Sequence, residues 1–165
     1  MRKLGLILMV LVLTGVMMSG CGAKAEPTAS DNITKIESKK MAEYIVENTT
    51  FKDDMSAVDN DIFLSLYNLD STTVKDGTLY ASTGATAEEV AVITGVDQKS
   101  LEAIQTACEQ RVEAQKQAFE NYVPEELTKL KTPVIKQIGD SIVFVVCDDS
   151  SKAEDLIDNY TNTEV

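Results

Sequence analysis

An α+β fold is predicted: two strand–strand–helix halves form a mainly antiparallel four-stranded sheet, with an N-terminal helix pair. Three observations predict it. Apolar residues recur at three- and four-residue spacing over residues 35–68 and again over 97–119, as on one face of a helix. Paired runs rich in Val, Ile, Thr and Tyr occupy 77–83 with 88–94, and 133–138 with 141–147. The two halves also overlay in order. Val90-Ala91-Val92-Ile93 laid on Ile142-Val143-Phe144-Val145 brings Asp97 onto Asp149, and Leu101 and Ile104 onto Ala153 and Leu156.

Element by element, Ile36, Met41, Tyr44, Ile45 and Asn48 share a helical face, which places a helix at 35–48. A short connection through Phe51 and Met55 leads to a second helix carrying Val58, Ile62, Phe63, Leu66 and Tyr67. Asp59 and Asp61 sit near its start, where the helix dipole favours acids. Tyr67-Asn68-Leu69-Asp70 ends it. A strand at Gly77–Thr83 turns at Gly84 and returns as Glu88–Thr94. Asp97 is the N-cap of a long helix whose face is Leu101, Ile104, Cys108, Val112, Gln115 and Phe119. Pro124 followed by Glu125 and Glu126 starts a short extra helix. Pro133–Ile138 and Ser141–Cys147 form a hairpin around Gly139-Asp140. Ser151 and Glu154, spaced as a capping box, open the closing helix. Ile142–Cys147 is apolar at every position, so both faces of that strand need cover. Both crossover helices are expected on one face, and the N-terminal pair on the other.

The chain begins with Arg2 and Lys3, an apolar run Leu4–Met18, the small pair Ser19-Gly20 and then Cys21. A charged start, an apolar stretch of about 7–15 residues and a small-residue cleavage site define a secretory signal. The run is shorter than the roughly 20 residues a spanning helix needs. Cysteine directly after small residues looks like a bacterial lipoprotein signal, with Cys21 the acylated first residue of the mature chain. Met18 stands where that motif prefers Leu. The expected organisation is therefore a lipoprotein signal peptide at 1–20, a lipidated cysteine and flexible tether at 21–33, one globular domain at 34–160, and a tail at 161–165. The tether, Gly22 to Asn32, is small and polar without aromatics, which cannot bury enough surface to order itself.

Removing Arg2 and Lys3 leaves 13 basic against 27 acidic residues, a formal charge of −14. Such a domain repels nucleic acid and anionic headgroups, so no nucleic-acid partner is expected. With no histidine in the chain, Ser-His and Cys-His catalysis and imidazole metal sites are excluded. Cys108 and Cys147 lie within apolar patterns, where cysteine behaves as a small hydrophobe, although an exported pair is also a candidate disulfide. No metal and no cofactor is expected.

Two sets of residues are candidate contacts for a ligand or partner. In Gly84-Ala85-Thr86-Ala87-Glu88-Glu89, Thr86 and the two carboxylates either face a ligand, or Gly84 supplies positive φ to a turn whose backbone donors Thr86 and Glu89 satisfy. Gln115 is the one amide in an apolar helical stripe and has to find partners. With Arg111 and Tyr122 it forms either a polar cluster for a bound carboxylate or peptide, or a tie to the Tyr122-Val123-Pro124 turn. Asp53, Asp54, Asp59 and Asp61 are dense but lack the Gly and terminal Glu of an EF-hand loop.

Ser82-Thr83-Gly84-Ala85-Thr86-Ala87-Glu88-Glu89 running into Val90-Ala91-Val92 resembles the signature of an uncharacterised family of small Gram-positive bacterial lipoproteins, known only as a domain of unknown function. The resemblance extends through Arg111–Gln115, Phe119–Glu126 and Ile135-Lys136-Gln137, and covers the chain from about residue 37 onward. It implies an anchored envelope protein and carries no catalytic residues. The expectation is a non-catalytic binding or accessory module, anchored to the membrane through its N-terminal lipid at the extracytoplasmic face, with an envelope protein or peptide as partner. The alternatives are a small-ligand or cation receptor and a carboxylate-based envelope hydrolase.

Overall fold

A computed structural model describes residues 35–163. The signal, Cys21 and the tether lie outside the described residues. The fold is α+β, but the sheet has five strands rather than the expected four. In chain order the elements are α1 (Ser38–Asn48), β1 (Ser56–Ala57), α2 (Asn60–Tyr67), β2 (Val74–Ala81), β3 (Glu89–Gly95), α3 (Gln98–Phe119), a 3-10 helix (Pro124–Lys131), β4 (Val134–Ile138), β5 (Ser141–Val146) and α4 (Ser150–Thr163). The sheet is antiparallel throughout, in the order β1-β2-β3-β5-β4. The added strand, β1, pairs Ser56 with Ala81 and Ala57 with Tyr80. Two exposed residues cannot show an alternation, so this strand leaves no periodic trace in the sequence.

The layering also departs from expectation. Strand alternation sends Leu79, Ala91, Ile93, Ile142, Phe144 and Val146 to one face, where they pack with Phe63 and Tyr67 of α2 and the apolar stripe of α3. Val90, Val92, Val143, Val145 and Cys147 face the other way, against Met41, Ala42 and Ile45 of α1 and Ala153 and Ile157 of α4. Each face therefore takes one helix from the N-terminal pair and one crossover helix. The wholly apolar strand needs cover on both sides, and this arrangement supplies it with four helices around β3 and β5, all of whose residues are buried.

Local chemistry sets the helix ends. Asp97 accepts from Ser100 N–H at 2.7 Å and caps α3. Its counterpart in the overlay, Asp149, accepts from Lys152 N–H at 3.0 Å, so Asp149 caps α4 and Ser151 lies inside the first turn. On α2 only Phe63 and Tyr67 are buried, while Ile62 and Leu66 face outward. Asn68, with φ 50°, ends α2 in the left-handed region that Asn tolerates. Buried Ser38 on α1 hydrogen-bonds Thr94, which hydrogen-bonds Ser141, so α1 is tied to β3 and β5 by hydroxyls as well as by packing.

Cys108 and Cys147 are free, buried, and on opposite faces of the sheet, which rules out a bridge between them. Burial pushes the Cys147 thiol up to about 11.

Gly77 on β2 lies against the Phe63 ring of α2. A Cβ there would stand 2.8 Å from Phe63 Cε1. Gly77→Ala is expected to lower stability by about 1–3 kcal/mol through overpacking. Urea denaturation checks this; a variant as stable as the parent would mean that Phe63 has room to retreat.

Candidate functional site

Glu88 and Glu89 stand side by side where the 82–88 loop enters β3, and both are 1 % exposed. Alternation places Glu89 on the face shared with Ala91 and Ile93, under α2 and α3. A carboxylate there must be fully paired. Tyr67 of α2 donates its hydroxyl to Oε1 at 2.5 Å. Arg111 of α3 grips both oxygens, with Nε at 3.1 and 3.2 Å and Nη2 at 2.7 Å. Gln115, one turn further along α3, donates Nε2 to Oε2 at 3.0 Å and to the Ala87 carbonyl at 3.4 Å. One acid thus fastens β3 to two helices.

Glu88 belongs to a second cluster. It accepts from the backbone N–H groups of Lys52 (2.9 Å) and Asp53 (3.1 Å), from the Thr86 hydroxyl (3.0 Å) and from Lys129 Nζ (2.9 Å). Lys129, on the 3-10 helix and only 3 % exposed, also pairs with Glu126 at 2.9 Å, and Glu126 accepts from Ala87 N–H at 3.0 Å. The 82–88 loop is further held by Asp53, whose Oδ2 accepts from Thr83 N–H and Oγ1 at 2.9 and 2.5 Å. Ser82 Oγ closes the turn onto the Thr86 carbonyl at 2.6 Å, around Gly84 at φ 97°.

Between this loop and the C-terminal half of α3 lies a cavity of about 260 Å³. Thr86, Glu89, Arg111, Gln115 and Tyr122, the five residues singled out in the sequence, all line it. They play unequal parts. Thr86, Glu89 and Arg111 spend their polar groups on protein partners, although the Arg111 fork uses Nε and Nη2 and leaves Nη1 outside the pair. Tyr122 is at the lip, 68 % exposed, its ring centroid 6.2 Å from that of Phe119, and it makes no tie to Gln115. Gln115 is 6 % exposed, and its Oε1 has no hydrogen-bond partner. Reversing the amide would bring Oε1 against the Glu89 carboxylate and the Ala87 carbonyl, so Nε2 must face them and the oxygen must face away.

Sequence reasoning missed Tyr67, Glu126 and Lys129 as members of the two clusters, and took Glu88 for a carboxylate facing a ligand or a turn, whereas it faces Lys129 and the Lys52 N–H. A buried lysine on an amphipathic 3-10 turn looks in sequence like any surface lysine. Among the described residues no group of three or more Cys, Asp or Glu is placed to hold a metal ion. The acids of the 53–61 patch serve locally: Asp53 holds the 82–88 loop, and Asp59 caps α2 by accepting from Asp61 N–H at 3.0 Å.

The family model of a domain of unknown function, DUF4358, matches residues 47–147. The chain belongs to this family. The matched DUF4358 segment runs from the end of α1 to Cys147, and contains both acid clusters and every residue of the cavity. No curated protein and no solved structure matches the chain.

The clusters make stability depend on alkaline pH. Burial, reinforced by the charge of Glu89, raises the Tyr67 phenol well above its usual 10. For Lys129 burial opposes the charge, but hydrogen bonds to Glu126 and Glu88 outweigh it and raise its value. A raised folded value means stability that is complete below the unfolded pKa and lost as pH climbs through the folded one. The melting temperature is therefore expected to fall above about pH 10, and less steeply in Tyr67→Phe. Equal slopes for the two proteins would remove Tyr67 as a cause.

Proposed function

We propose that this chain is a non-catalytic, extracytoplasmic lipoprotein, held at the membrane through acylated Cys21, whose DUF4358 domain is a receptor for a small ligand in the cavity between the 82–88 loop and α3. The convergence of Thr86, Glu89, Arg111, Gln115 and Tyr122 on one concave site carries the binding reading. A few placed polar groups within a largely preformed concavity are the usual anatomy of a small-molecule site. The hydrolase alternative is poorly served, because Glu88 and Glu89 give their oxygens to protein donors rather than facing each other across a cleft. The basic-apolar-small-Cys order of residues 2–21 supports the anchor. Among the described residues no helix is long and apolar enough to cross a membrane.

Two measurements test these readings separately. Cys21→Ala should abolish incorporation of labelled fatty acid in a bacterial host; undiminished labelling would place the acyl chains elsewhere. For the cavity, amide spectra recorded with a small-fragment mixture should show shifts concentrated at residues 84–89 and 111–122. Shifts scattered over the surface, or none, would reject the receptor reading.

A further inference from the structure

We infer that the cavity takes a ligand carrying a carboxylate on a compact apolar body, received by the outer edge of the Arg111 guanidinium; this rests on the receptor reading above.

A guanidinium carries five N–H donors on a planar fork, and two of its edges can each grip a carboxylate. Glu89 occupies one edge, taking Nε at 3.1 and 3.2 Å and Nη2 at 2.7 Å. The next edge, Nη1 with the second N–H of Nη2, has no partner among the described residues. Nη1 is not one of the polar atoms buried without a partner, and the Arg111 side chain is 18 % exposed, so solvent reaches this edge. Arg111 lines the cavity. Because Glu89 already holds the fork in place, a ligand meeting the free edge has little side-chain freedom to remove.

The other charged groups of the wall are closed to a ligand. Glu88 and Glu89 are each 1 % exposed, and their oxygens are spent on backbone N–H groups, Lys129, Tyr67, Arg111 and Gln115. The accessible charge is therefore positive, although the chain as a whole carries −12. That wider field opposes an anion at a distance, but salt at about 0.1 M screens it beyond roughly 10 Å. Contact with Arg111 is made at much shorter range.

The rest of the wall sets the body of the ligand. Ala114 and Ala118, both exposed, follow Arg111 along the cavity side of α3, and Tyr122 stands at the lip with its ring open to solvent. Arg111 and Ala118 are two turns apart, about 10 Å along the helix. Two methyl groups and an aromatic face call for apolar contact. A volume of about 260 Å³ has room for a ring and a short linker.

The probes are 3-phenylpropionate, its neutral amide 3-phenylpropionamide, and 3-phenylpropylamine, which share a ring and a three-carbon chain and differ in the charge of the head group. Each is titrated into the full chain at neutral pH in about 0.1 M salt and followed by backbone amide shifts and by the Arg111 Nε–H resonance. Phenylpropionate is expected to move residues 84–89 and 111–122 together with the Arg111 Nε–H. The amide should bind about tenfold more weakly, having lost the charged acceptor, and the amine more weakly still. N-Acetylphenylalanine, with the same ring and carboxylate plus a peptide bond, distinguishes the sources: tighter binding than phenylpropionate assigns the site to a peptide C-terminus, and equal or weaker binding to a free acid. Arg111→Lys keeps a charge for Glu89 but removes the second edge, and should weaken phenylpropionate about tenfold and the neutral amide less. Ala118→Leu, at an exposed helical position that Leu suits, fills the wall and should weaken phenylpropionate several-fold, whatever the folding of Arg111→Lys. Unchanged affinity in that variant would place the acid elsewhere and overturn the inference. The amide or the amine entering the cavity as tightly as the acid would overturn the carboxylate selectivity while leaving a ligand site. Failure of all three to enter would overturn the selectivity and the receptor reading together.

Discussion

Glu89→Ala is expected to lower the unfolding free energy by about 3–5 kcal/mol, the usual cost of removing one partner from a buried ion pair. Arg111 of α3 would be left without its counter-charge, and the Tyr67 hydroxyl and the Gln115 amide would each lose an acceptor. The loss is unlike a simple cavity, because the damage is done by the donors that stay behind. Replacing both partners, as in Glu89→Leu with Arg111→Met, should therefore recover much of the stability that Glu89→Ala loses. Urea denaturation of the three proteins reads this directly. A loss below about 1 kcal/mol for Glu89→Ala would mean the pair behaves as an exposed surface bridge.

Lys129→Met should have a comparable effect, again about 3–5 kcal/mol, for the opposite reason. Its ammonium stands between Glu88 and Glu126 at 2.9 Å from each, and removing it leaves two buried carboxylates facing one another. The backbone donors from Lys52, Asp53 and Ala87 remain but cannot neutralise both. Adding Glu88→Gln to Lys129→Met should cost less than the two single changes summed, because it removes the repulsion that the first change created. Strict additivity in that cycle would show that Lys129 and Glu88 are not energetically coupled.

Much of the secondary structure was legible because long elements carry periodicity. The α3 stripe from Leu101 to Phe119 is buried at each position read from spacing, and the Gly139-Asp140 turn joins β4 to β5. The layering was less accessible, since covering helices were assigned to faces by count alone. The overlay in fact held the answer: it sets Ala91, on the α3 face, against Val143, on the α4 face. Combined with strand alternation, that correspondence sends the two crossover helices to opposite sides. β1 was invisible for a different reason, being held by strand neighbours and by Val58 N–H to the Leu79 carbonyl at 2.9 Å rather than by its own residues.

At the candidate site, Gln115 was conspicuous because an amide interrupting an apolar stripe needs an explanation, and the Glu89 partnership supplies half of it. Tyr67 was read as part of the apolar face and end of its helix and proved to be a donor to Glu89. Glu88 was read as one of two loop carboxylates, but its pairing with Lys129 was unreadable. Their pairing joins residues far apart in the chain, and nothing in local spacing distinguishes a lysine destined for the interior from one left in water.

The Glu88-Glu89 doublet also acts as an alignment key. The two acids serve cations on different elements, so a chain that zipped β3 one step out of phase would bring either Val90 to Arg111 or Ala87 to Lys129, leaving one of the two cations without its acid. Hydrophobic strands such as β3 and β5 carry little to distinguish correct from shifted pairing, and this adjacent pair gives the sheet a means of proofreading its own assembly.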